Sequence, residues 1–182
     1  MNTAVAPHAS RLTPHERIPL ALYLHFPWCV RKCPYCDFNS HAVRSEGIPE
    51  DAYIDALLRD VDFELNDSRF PIPDSQRVIS IFMGGGTPSL FSDRALGRLL
   101  DALRRRLRFA DDIEITLETN PGTVDAAHFR GYVAAGINRL SIGVQSLDNA
   151  QLKKLGRIHD RDEAFKAYDT ARAAGFANIN LD

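Results

Sequence analysis

The sequence predicts an α/β fold in which five parallel strands alternate with helices through right-handed crossovers. Three observations predict it. Short apolar runs at 20–26, 78–83, 113–118, 139–145 and 178–182 alternate with segments whose apolar residues recur at helical spacing. A weak repeat, Ala134-Ala135-Gly136-Ile137 and then Ala173-Ala174-Gly175-Phe176, twice gives a helix end, a glycine able to take positive φ, and a strand start. Finally, the residues richest in chemistry follow the strands, where parallel sheets and barrels carry their sites.

The chain has 182 residues, 45% of them hydrophobic, enough for one domain with a core. A formal net charge of −2 gives no electrostatic case for nucleic acid or an anionic membrane as partner. The apolar run Leu20–Leu24 is far too short to span a bilayer, and the N-terminus has no charged-then-apolar signal pattern. Three cysteines cannot all pair within one chain. Together with the missing export signal, this points to a reducing cytoplasm.

Residues 1–19, with Pro7, Pro14, Pro19, His8 and His15, read as a mobile tail, and residues 20–182 as the core domain. Leu20–Phe26 reads as a strand buried on both faces. Pro49–Leu65 reads as a helix, with Glu50 and Asp51 suiting its first turn and Ile54, Leu57, Leu58, Val61 and Leu65 on one face. Val78–Met83 is the second strand. Ser92 suits the N-cap of a helix that places Leu96, Leu99, Leu100, Leu103 and Leu107 inward. Arg104-Arg105-Arg106 and Arg108 close it, as cations complementing a helix C-terminus. Ile113–Glu118 is the third strand, followed by a short helix over 125–135 closed by Gly136. Arg139–Gln145 is the fourth. A helical stretch runs from Asn149 to Gly156, and another, with Phe165, Tyr168 and Ala171 inward, ends at Gly175. Asn178–Asp182 begins a fifth strand. A sheet ending there leaves an open edge, so the sequence reads as truncated after the fifth strand.

All three cysteines, Cys29, Cys33 and Cys36, lie directly after the first strand in the spacing C-x3-C-x2-C. Three thiolates can fill three corners of a metal site or iron–sulfur cluster and leave one corner open for a ligand. A Cys3His zinc site using His25 or His41, and inert buried thiols, are the competing readings. Pro27 and Pro34 stiffen the loop. Around it, Gly84-Gly85-Gly86 lets backbone approach a ligand, although neither a dinucleotide fingerprint nor a phosphate-loop lysine is present. Arg157 can fork onto a carboxylate. Glu118, Gln145 and Asp182 offer acceptors for hydroxyls or an ammonium, and Tyr23 and Tyr35 offer flat faces. His25 reads as a hydrogen-bonding neighbour of the cysteines.

The motifs Tyr23-x-His25-x-Pro27-x-Cys29-x3-Cys33-x-Tyr35-Cys36, Gly84-Gly85-Gly86-Thr87-Pro88-Ser89, Glu118-Thr119-Asn120-Pro121, Gly143-Val144-Gln145-Ser146 and Gly156-Arg157-x-His159 resemble the radical S-adenosylmethionine superfamily. Within it they resemble the group of oxygen-independent coproporphyrinogen III oxidase and its haem-chaperone relatives, over nearly the whole chain. The resemblance implies a partial TIM-type (βα) barrel of the radical SAM type, and a [4Fe–4S] cluster on Cys29, Cys33 and Cys36 with S-adenosylmethionine on the fourth iron. It assigns Tyr23, Tyr35, Gly85, Gly86, Thr87, Glu118, Gln145, Arg157 and Asp182 to the S-adenosylmethionine region. It also implies an electron donor, haem or another porphyrin as ligand, and haem-receiving proteins as partners. The oxidase pattern has a fourth cysteine two residues beyond the third. Phe38 stands there, so the resemblance favours the chaperone branch over the oxidase. A zinc-binding structural module is the third reading.

Overall fold

A computed structural model describes residues 19–182 apart from 68, 70, 74 and 124; the tail with His8 and His15 lies outside the described residues. The described chain opens with strand β1 (Leu20–Phe26), followed by two short strands, β2 (Trp28–Cys29) and β3 (His41–Ala42). Helices and strands then alternate: α1 (Glu50–Leu65), β4 (Val78–Gly85), α2 (Asp93–Arg106), β5 (Phe109–Thr119), α3 (Ala126–Ala135), β6 (Arg139–Ile142), α4 (Asn149–Lys154), α5 (Arg161–Ala174) and β7 (Asn178–Leu181). The main sheet is parallel throughout, in the order β1-β4-β5-β6-β7. β2 and β3 pair separately, Trp28 opposite His41.

Side chains alternate across a strand, so the sheet has two unlike faces. On one, Leu24 and Phe26 of β1, Ile81 and Met83 of β4, Ile115 and Leu117 of β5, and Leu140 and Ile142 of β6 are buried in a single core. The helices cover this face side by side, α1 on α2, α2 on α3 and α3 on α5. The helix α2 contributes Leu96, Leu99, Leu100 and Leu103, all fully buried; each is worth about 1.5–3 kcal/mol on transfer from water. The opposite face carries Tyr23, Phe82, Glu118 and Ser141. A helix layer on the outside and a polar inner face are the arrangement of a (βα) barrel wall.

Helix ends follow their sequence signals. The Ser92 hydroxyl accepts from the Ala95 amide at 3.2 Å, and Glu50 in turn accepts from the Ser92 amide and hydroxyl. Asp125 caps α3, and Asp160 with Glu163 forms a reciprocal capping box on α5. Gly136 and Gly175 close α3 and α5 in the left-handed conformation, as the repeat predicts.

Three expectations are corrected. β1 lies at the edge of the sheet and is buried on one face only, leaving Tyr23 57% exposed on the polar inner face. β6 stops at Ile142 rather than running to Gln145, which takes φ 67° and turns the chain out of the sheet. On α5 the inward residues are Ala164, Ala167 and Ala171, while Phe165 is 47% exposed beneath the Arg161 guanidinium. The small alanine face brings α5 close against α3, where Phe176 meets Phe129 edge-on.

Candidate functional site

Parallel register brings the C-terminal strand ends to one rim. Phe26 pairs with Gly85, Glu118 with Ser141, and Ser141 with Asn180. The cysteine loop folds over this rim and is fastened there by backbone bonds. The amides of Gly86 and Thr87 donate to the carbonyls of Phe26 and Trp28, both at 2.7 Å. That approach leaves no room for a side chain at Gly86, because a Cβ would sit 2.5 Å from the Trp28 carbonyl oxygen. The far end of the loop is tied back by the Lys32 ammonium, which donates to the Phe38 and Ser40 carbonyls, and by His25. His25 Nε2 lies 2.8 Å from the Asn39 carbonyl, an acceptor, so Nε2 carries the proton. Nδ1 is then left to accept from the Tyr23 hydroxyl at 3.4 Å. His25 is thus bonded to Tyr23 and, through the Asn39 carbonyl, to the far end of the cysteine loop.

Beneath the loop lies a cavity of about 330 Å³, within the range of small-molecule sites. Cys29, Cys33 and Cys36 open onto it, all three half-buried free thiols. Tyr35, Gly85, Gly86, Thr87, Glu118, Gln145, Arg157 and Asp182 line it as well. Tyr23 does not: its ring stacks on Phe82 beyond the cavity. The lining also includes Asn120 and Gly143, which belong to the quoted motifs, and Ser141 of β6; none of the three carries a role on sequence grounds. The Asn120 amide donates to the Thr87 hydroxyl at 2.8 Å and so joins the β4 and β5 ends. The Ser141 hydroxyl donates to the Asp182 carboxylate at 2.7 Å, and the Gln145 amide donates to the Asp182 carbonyl at 2.6 Å.

The electrostatics of the cavity are uneven. Burial pushes the Glu118 carboxyl above its ordinary value; the Gly85 amide, donating to it at 3.1 Å, opposes this, and the Asp182 carboxylate reinforces it. Burial also raises the Tyr35 phenol, which stands against both Arg157 and Cys33. Arg157 crosses the cavity wall: Nη1 donates to Cys33 Sγ at 3.6 Å and Nη2 to the Gly143 carbonyl at 2.5 Å and to Asn120 Oδ1. Among the described residues its Nε is buried with no hydrogen-bond partner. Behind the cavity, buried His159 points Nε2 at the Val144 carbonyl, 3.1 Å away, and burial and Arg157 together hold its pKa down. The motif containing His159 is visible in the sequence; its packing role is not.

The donor set, three thiols on one short loop lining one cavity, fits an iron–sulfur cluster. Among the described residues no three His, Cys, Asp or Glu side chains gather to hold a single metal ion. Cys29, Cys33 and Cys36 all line the same cavity and would be the residues to hold such a cluster. Three soft thiolates leave one iron open. Glu118 and Asp182 across the cavity suit a cationic ligand, and the unpartnered Arg157 Nε suits an acceptor on it.

A parallel (βα) sheet with such a cysteine loop over its C-terminal rim defines the class, and a family model agrees. The radical SAM superfamily model matches residues 23–182, and the chain belongs to that superfamily. Membership implies a [4Fe–4S] cluster and S-adenosylmethionine. Among curated proteins, the chain is 53% identical over 165 residues to heme chaperone HemW of Haemophilus influenzae, and 37% identical over 161 residues to heme chaperone HemW of Bacillus subtilis. The first match takes in 90% of this chain and 42% of the relative, the second 88% and 41%. The chain therefore spans about two fifths of the length of these relatives. Among solved structures, coproporphyrinogen III oxidase (HemN) from Escherichia coli matches with a TM-score of 0.77 and 30% identity, over 92% of this chain and 37% of that one. Among the described residues no helix is long and apolar enough to cross a membrane.

Proposed function

We propose that Cys29, Cys33 and Cys36 hold a [4Fe–4S] cluster, that S-adenosylmethionine occupies the adjoining cavity, and that the protein is a haem chaperone. The observation that carries this reading is the three cysteines opening, with no fourth, onto a cavity walled by Glu118, Asp182 and Arg157. When bound, the cluster supplies an open iron that an amino acid's amine and carboxylate can chelate. Around it, Tyr35, Gly85, Gly86, Thr87, Glu118, Gln145, Arg157 and Asp182 hold and orient the ligand, with residues 20–182 as the core domain. Tyr23 acts on the site through His25. The reading keeps an electron donor and haem-receiving proteins as partners and the cytoplasm as compartment, since unpaired thiols suit reducing surroundings.

Haem delivery is favoured over porphyrinogen decarboxylation by the chaperone relatives and by Phe38, which occupies the position of the oxidase's fourth cysteine and is 59% exposed at the cavity mouth. The likeness to the oxidase structure supports the second reading. The test uses full-length, anaerobically reconstituted protein. Haem titration followed by absorbance is expected to saturate. With coproporphyrinogen III, S-adenosylmethionine and a reductant, no protoporphyrinogen is expected; its formation would reverse the choice.

A further inference from the structure

Arg157 has more to do than meet a ligand. Three observations place it on the cysteine loop itself. First, Nη1 donates to Cys33 Sγ at 3.6 Å, a contact between residues 124 positions apart. Second, Nη2 is already committed to the Gly143 carbonyl and to Asn120 Oδ1, so the guanidinium is held rigidly on the ends of β5 and β6. Third, the turn carrying Arg157 is pressed against the loop: Gly156 takes φ +70°, and a Cβ there would lie 2.9 Å from Pro34 Cδ. The Gly156-Arg157 turn therefore closes as a clasp on Cys33-Pro34.

We infer that Arg157 is a positioning residue that fixes Cys33 and raises the reduction potential of the cluster. The inference rests on the reading that the cysteines hold a [4Fe–4S] cluster. One-electron reduction adds one negative charge to the cluster and its thiolates. A fixed guanidinium donating to one of those sulfurs stabilises the reduced form more than the oxidised form, and charge and hydrogen bonds at the sulfurs are recognised determinants of such potentials. With no S-adenosylmethionine present, a change in potential on replacing Arg157 reports its charge and hydrogen bond at the cluster rather than a lost ligand contact.

The test is a dithionite titration with redox mediators, followed by electron paramagnetic resonance, on full-length reconstituted protein with no S-adenosylmethionine added. Arg157→Gln is expected to lower the reduced-to-oxidised ratio at a given potential about tenfold, a midpoint shift of ~59 mV to the negative for one electron. Arg157→Lys, which keeps the charge and loses the fork, is expected to shift it less. A midpoint equal to wild type in Arg157→Gln overturns the inference and leaves the cluster reading intact. A wild-type protein that takes up no iron and sulfide overturns both. Should Arg157→Gln assemble no cluster, Asn120→Ala, which frees the guanidinium from one anchor, decides together with Arg157→Lys. A negative shift in either supports the inference, and unchanged midpoints in both overturn it.

Discussion

The Glu118 carboxylate accepts a hydrogen bond from the Gly85 amide at 3.1 Å, across the ends of two neighbouring strands. Burial nonetheless raises its pKa above the ordinary Glu value of about 4.3. Between that value and the raised one, the folded protein keeps a proton that the unfolded chain has released. Stability therefore falls as pH rises through this window and stays lower above it. Glu118→Gln keeps an acceptor for Gly85 and removes the buried charge. The variant is expected to be more stable than wild type at pH 7, with the gain vanishing near pH 4, and to bind S-adenosylmethionine more weakly. Urea unfolding at both pH values and calorimetric titration check this.

His159 behaves in the opposite sense. It is buried, and its lowered pKa keeps it neutral in the folded state. As pH drops below the ordinary His value of about 6.5, the unfolded chain takes up a proton that the folded one resists, and stability is lost. His159→Gln is expected to flatten the decline in unfolding free energy between pH 7.5 and 5.5. A variant that declines as steeply as wild type would assign that decline to other groups.

Two glycine substitutions are expected to part in sign. Gly86→Ala forces a methyl group against the Trp28 and Phe26 carbonyl oxygens, backbone atoms that cannot swing aside. The expected cost is about 1–3 kcal/mol, with iron uptake impaired because the cysteine loop loses its seat. Gly97 lies within α2, where a Cβ would make an ordinary 3.6 Å contact with Ala135. Gly97→Ala is expected to gain about 0.5–1 kcal/mol. Thermal unfolding of both variants checks the pair.

Tyr132 links the helix layer to the site. Its hydroxyl is buried 2.9 Å from the carbonyl oxygens of Ser89 and Phe91, in the segment that follows the glycines. Tyr132→Phe leaves those carbonyls unsatisfied and is expected to cost about 1–3 kcal/mol. Denaturant unfolding with an unchanged slope would register it.

The sheet was legible because most strands hold a short apolar run and several helix ends carry a cap signal: Ser92 and Gly136 act where their residue types suggest, whereas α1 has Pro49 at its N-cap position and no side-chain cap. The cysteine loop and the ends of β4 and β5 were legible for a related reason, since parallel strands collect their C-terminal ends at one rim. What escaped was information held between elements. Nothing within 20–26 says that, among the described residues, no layer covers the inner face of β1, so Tyr23 reads as buried. Phe165 reads as core until α5 is seen to lie on α3 through its alanines. The left-handed turn at Gln145 depends on its amide reaching Asp182, and the hold of Arg157 on Cys33 joins residues that no local pattern connects.

The most direct test of the account is the iron and sulfide content of the chain after anaerobic reconstitution, compared between wild type and Cys33→Ser. The account predicts about four iron and four sulfide per wild-type chain with brown colour, and loss of both in the variant. Colourless wild-type protein carrying stoichiometric zinc, or a Cys33→Ser variant with undiminished iron and sulfide, would contradict it.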